Sequence, residues 1–167
     1  MAVIPRRVYD EVEARLYERK TLVVRASERL ARAQEMAYSI PSFTPEALPE
    51  KAMKKRGVNP NTIHGKGVTG DPTERATFAI LQAEADFCTA TKWAEVFSRL
   101  DEIFAGKPEA VIADAIYTQH QQQKDVAARL HYDRQSVRRY RDTYVCHCAL
   151  IAAEQGLIKI TEDENNV

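Results

Sequence analysis

The residues best suited to chemistry lie between Lys124 and Arg141, where six basic side chains (Lys124, Arg129, Arg134, Arg138, Arg139 and Arg141) stand against two acidic ones, Asp125 and Asp133. Duplex DNA is read by such groups: arginine pairs with guanine through two parallel hydrogen bonds, glutamine does the same with adenine, and serine, lysine and arginine hold phosphates. The apolar residues between them have a helix-turn-helix pattern. Val126, Ala127 and Leu130 form the buried side of a short first helix, in which the small Ala127 permits a close crossing, Tyr132 plugs the turn and Asp133 caps a second helix. From there Val137, Tyr140, Tyr144, Cys148 and Ile151 recur at steps of three and four. At about 100° per residue the opposite face shows Gln135, Arg138, Arg139 and Asp142, with Arg134 and Ser136 on its shoulders. The expectation is that Arg134, Gln135, Arg138 and Arg139 enter the major groove, with Ser136 beside them, while Lys124, Arg129 and Arg141 hold the backbone. Asp142 is the exception, suited to steering Arg138 one turn back or to accepting from cytosine, although a carboxylate facing phosphates weakens binding. The plainer alternative is a solvated basic face on an ordinary helical hairpin.

The elements that must position this unit are also helical, so the spacing predicts an all-α fold. Residues 6–40 read as one long helix, because Tyr9, Val12, Leu16, Arg19, Val23, Ala26, Leu30, Ala33, Ala37 and Ile40 follow alternating steps of three and four and all but Arg19 are apolar. That seam suits packing on the same chain, and equally a homodimer or higher oligomer. Pro41 ends the helix, and residues 41–70 form a basic connector with Pro41, Pro45, Pro49 and Pro60 among its turn-formers. Asp71-Pro72-Thr73-Glu74 then starts a second long helix, with Asp71 as cap and Pro72 at the first helical position. Its stripe is Ala76, Ile80, Ala83, Phe87, Ala90, Ala94, Phe97 and Phe104, broken by Asp101, and it ends at Gly106. A shorter helix from Pro108 to about His120 buries Val111, Ile112, Ala115 and Ile116. The division is therefore 1–40, 41–70, 71–106, a DNA-binding unit over 107–157, and an acidic tail over 158–167.

The stretch from Val126 to Val145 resembles the helix-turn-helix of region four of bacterial sigma factors. The order of elements is similar to the phage late-gene transcriptional activators of the RinA and ArpU type: a long N-terminal helix, a Gly/Pro-containing connector, the tract Gly70-Asp71-Pro72-Thr73-Glu74-Arg75, a second long helix and this C-terminal unit. The resemblance implies a regulator that binds double-stranded DNA upstream of packaging and morphogenesis genes and activates them with host RNA polymerase. It implies no catalytic residues, and it covers residues from about 9 to 157.

Composition narrows the other classes. With 167 residues, 44% hydrophobic and 29% charged, the chain fits a globular protein, and no apolar run approaches the roughly 18 residues of a membrane span. Three cysteines cannot pair completely, which points to a reducing, cytoplasmic setting, and the resemblance implies that this is a bacterial host cell. Net charge is zero, yet residues 71–105 hold seven acidic groups against three basic, so charge is segregated along the chain. Cys146-His147-Cys148 points in three directions on a helix and predicts no metal site, with Cys148 in the core and His147 at the surface. His64 and His120 have no neighbouring acid or nucleophile, the glycines around Lys66 miss the phosphate-loop spacing, and no cofactor is expected. An enzyme such as a recombinase is thereby disfavoured. The rival reading is a small terminase-like subunit that recognises phage DNA and assembles into a ring.

Overall fold

A computed structural model describes residues 4–40 and 72–160, and every regular element among them is helical. In chain order these are α1 (Arg6–Glu18), α2 (Leu22–Tyr38), α3 (Pro72–Ile103), α4 (Pro108–Ala113), a π-helical stretch (Asp114–Thr118), α5 (Gln123–Leu130) and α6 (Arg134–Glu154). The expected connector with Lys54, Lys55, Arg56 and Lys66, the cap Asp71 and the last seven residues lie outside the described residues. The chain divides into two compact units, one of Met1–Arg25 with Cys88–Val167 and one of Ala26–Phe87.

The expected single helix over 6–40 is two helices. At the break Thr21 donates from its backbone N–H to Glu18 O at 2.9 Å, and its hydroxyl reaches the same oxygen at 3.3 Å, a local bond that competes with helix continuation. Arg19 stands at the C-terminal end of α1, next to this turn. The one charged position of the predicted seam meets Asp101, the residue that interrupts the stripe of α3, in an ion pair. Tyr144 completes the group, donating to Asp101 Oδ1 at 2.9 Å and accepting from Arg19 Nη1 at 3.3 Å. Two apparent faults in two apolar patterns are thus each other's partner. Burial alone would depress the Arg19 guanidinium, yet Asp101 and Tyr144 hold it above its ordinary value.

The first unit is organised around Val12, Leu16, Val96, Leu100, Ile112 and Val137, all fully enclosed, and α6 contributes Tyr144, Val145, Cys148 and Ala152 to the same cluster. Between α4 and α5 the wider π-helical turn changes the phase of burial, so Ala115, Ile116 and Tyr117 are all inside. Val111 accordingly faces out at 50% exposure, against the expectation that it is buried. The acidic tail was expected from residue 158. Instead Gly156, at φ +70°, turns the chain back in a Schellman cap, with Gly156 N donating to Ala153 O and Leu157 N to Ala152 O, both at 2.9 Å. Ile158 is then buried in the core with Leu157 and Ile160 against it.

Among the described residues of the second unit, Ala37, Ala76 and Ile80 form a core cluster, with Ala33 and Ile40 packed on them. Alanines let the α2 and α3 backbones approach around one larger side chain, and Arg29–Asp86 at 3.9 Å is an ion pair at its surface.

Candidate nucleic-acid interface

The site is built from α5, a three-residue turn and α6. Helix α5 buries Val126 and Ala127 while Leu130 stays half-buried against the core. Its C-terminus is closed by His131, which adopts the left-handed conformation at φ 56° so that Tyr132 N donates to Ala127 O at 3.0 Å. A residue with a Cβ is costly there by roughly 1 kcal/mol, a cost that the buried contacts on either side offset. Tyr132 is not a buried plug. It is 39% exposed and lies edge-on to Tyr140, with ring centroids 5.6 Å apart, so it shields Tyr140 from outside the turn.

Asp133 starts α6. Its Oδ1 accepts from Ser136 N at 2.8 Å and its Oδ2 from the Ser136 hydroxyl at 2.6 Å, which holds the carboxyl below its usual range. Because the folded value is the lower one, this cap stabilises the helix above the unfolded carboxylate range near pH 4 and is lost as the pH falls through the depressed value. In thermal melts, Asp133→Asn, which caps without charge, is expected to fall behind the wild type at about pH 6 and to converge with it as the pH falls through that depressed value. A difference that does not vary with pH would contradict this account.

Beyond the cap, Val137, Tyr144 and Cys148 point into the core, and the opposite face of α6 carries Arg134, Gln135, Arg138 and Arg139, all exposed. Gln135, Arg138, Arg139 and Asp142 together line a shallow groove of about 310 Å³. Lys124 and Arg134, ten residues apart in sequence, meet at a second groove of about 540 Å³ beside the N-termini of α5 and α6. Arg129 is exposed nearby, within 3.5 Å of the Gln119 side-chain oxygen.

Two expected contacts are placed differently. The Ser136 hydroxyl is committed to Asp133. Arg141, expected to hold the DNA backbone, has a side chain only 19% exposed. It donates to Asp142 Oδ1 from Nη2 at 3.0 Å, lies 3.7 Å from Glu13 Oε1 and sits over the Tyr9 ring. Burial alone would lower its pKa, but Tyr9, Asp142 and Glu13 hold it higher.

The structure also adds residues that the sequence pattern did not single out as functional. From α1, Tyr9 donates to Asp142 Oδ1 at 2.7 Å, and burial and that carboxylate push its hydroxyl well above the tyrosine range. The Tyr117 hydroxyl donates to Glu13 Oε1 at 3.0 Å. Tyr17 stacks on His120, with centroids 5.9 Å apart, at the groove that Lys124 and Arg134 share. His120, like His131, is a non-glycine residue at positive φ, at 54°.

In Cys146-His147-Cys148 the side chains diverge. Cys148 is fully enclosed and burial pushes its thiol up to about 12, whereas His147 is exposed, with Nδ1 2.9 Å from Thr143 O and its ring edge-on to Phe104. Among the described residues no three His, Cys, Asp or Glu side chains converge as a metal site, and no helix is long and apolar enough to cross a membrane. No known family, curated protein or solved structure matches the chain.

Proposed function

We propose that the protein is a sequence-specific, double-stranded-DNA-binding transcription regulator in which α6 is the reading helix, an activator of phage late genes that works with host RNA polymerase. One observation supports this reading above the rest. A capped helix anchored on one face by Val137, Tyr144 and Cys148 presents Arg134, Gln135, Arg138 and Arg139 on the other, with Lys124 beside its N-terminus. The N-terminal half of this face is basic, whereas Arg138 and Arg141 are balanced by Asp142 and Glu13 farther along. A helix charged in this way enters a major groove by its N-terminal end, and Lys124 and Arg129 serve the flanking phosphates. The exposed apolar side chains Met36 and Phe78 of the second unit favour a second reading, a ring-forming terminase-like subunit that uses the same face on phage DNA.

Selection of bound fragments from genomic DNA by the purified protein, with affinity read at two salt concentrations, tests both. A discrete site upstream of late genes is the expected result, with affinity falling steeply as salt rises. Binding confined to a packaging start, with light scattering showing a ring of many subunits, would replace the activator by the terminase reading. Equal, purely salt-driven binding to all fragments would sink sequence-specific regulation.

A further inference from the structure

A carboxylate on a DNA-facing helix repels phosphates whatever the sequence, so Asp142 calls for a compensating role. Its surroundings describe one. Oδ1 is occupied by the Tyr9 hydroxyl at 2.7 Å and by Arg141, through Nε at 3.2 Å and Nη2 at 3.0 Å. Arg141 is itself fixed by Glu13 at 3.7 Å, and Glu13 by the Tyr117 hydroxyl at 3.0 Å. The carboxylate is therefore clamped from α1, and the oxygen left over, Oδ2, faces Arg138 Nε at 3.7 Å. Arg138 is otherwise 73% exposed on the outer face of α6. An arginine approached at Nε keeps both terminal nitrogens for the two-pronged pairing that guanine O6 and N7 accept.

From this geometry we infer that Asp142 is a positioning residue that sets base preference through Arg138, with α1 as the brace that fixes its carboxylate. The inference rests on the DNA-reading role of α6. A free arginine side chain samples many rotamers and meets any phosphate within reach. One held at Nε aims at the groove floor, and losing that orientation costs the correct site more than the incorrect ones. Asp142 thus exchanges some general affinity for discrimination.

The test is a double-mutant cycle on the full chain, with dissociation constants measured for a selected duplex and for a scrambled duplex of equal length. For Asp142→Asn, affinity for the scrambled duplex is expected to rise about threefold as a negative charge is removed, and the selected-to-scrambled ratio to fall about tenfold. In an Arg138→Ala background the same substitution is expected to leave the ratio unchanged, because the side chain it acts through is gone. An undiminished ratio in Asp142→Asn, or an equal fall in both backgrounds, overturns the inference, since a merely structural role in α6 does not depend on Arg138. Should Asp142→Asn melt early, Tyr9→Phe takes its place in the cycle. It removes the hydroxyl clamp without altering charge, and the ratio is expected to fall with scrambled affinity constant; an unchanged ratio overturns the brace. A wild-type chain with no preference for any duplex sinks the DNA reading as well, and so is distinguishable from failure of the inference alone.

Discussion

Alanine at both Arg138 and Arg139 is expected to weaken binding to a selected site by about 2–6 kcal/mol, from about 1–3 kcal/mol for each lost base contact, and to flatten the preference among sequences. Both side chains are on the exposed face of α6, away from Val137, Tyr144 and Cys148, so the melting transition should stay where it is. That combination separates reading from folding. Arg129→Ala, by contrast, is expected to weaken all duplexes about equally and to lower the salt dependence by about one phosphate contact. Arg141→Ala should act on stability and, by releasing the Asp142 carboxylate it clamps, on base preference, while leaving the salt dependence unchanged, because its guanidinium is spent on Asp142, Glu13 and the Tyr9 ring. Titrations of the double variant that overlay the wild type would remove the assignment of α6 as the reading helix.

The second large effect lies in the core. Leu16 is fully enclosed in α1, in the same cluster as Val96, Leu100 and Val145, and truncating it to alanine is expected to cost about 2–5 kcal/mol. Against a total stability of about 5–15 kcal/mol for a domain, that loss should lower the melting temperature by roughly 10 °C or more. It should also reduce DNA binding at temperatures where the wild type is still folded. Thermal melts followed by circular dichroism give the number directly, and an unshifted transition would mean that α1 is not part of the cooperative unit.

Local signals in the sequence carried far. The start of a helix at Pro72, the Asp133 cap and the burial of Val126, Ala127, Val137, Tyr144 and Cys148 follow from spacing and side-chain type, because each is decided within one or two turns of chain. What periodicity could not supply was which polar groups meet. Arg19 and Asp101 each spoil an apolar stripe, and only their pairing across 82 positions makes sense of both. The same blindness hid the clamp on Asp142. A helical wheel places that residue beside Arg138, but Tyr9 reaches it, and Glu13 reaches its neighbour Arg141, from more than 100 residues away, where Tyr9 reads as one more member of an apolar seam. The wheel also left Arg141 free for phosphate, since its angle alone does not reveal the neighbours that occupy it. Val111 was misplaced because a regular helical period was carried through a π-helical stretch.

The hydrogen bond from Tyr9 to Asp142 spans 133 residues, and the core around it joins α1 to α6. During synthesis, therefore, α1 waits for α6 before these contacts can form, whereas α6 has α4 and α5 close by in sequence. Closing so long a loop costs chain entropy before any contact returns it, so the contacts of α1 with α6 are expected to form after those that α6 makes with α4 and α5. A fragment beginning after Phe87 would carry Arg134, Arg138 and Arg139 yet lack Val8, Val12 and Leu16, and would expose the α6 surface those side chains normally cover. Helices α5 and α6 are contiguous in sequence, but the core that supports them also draws on α1.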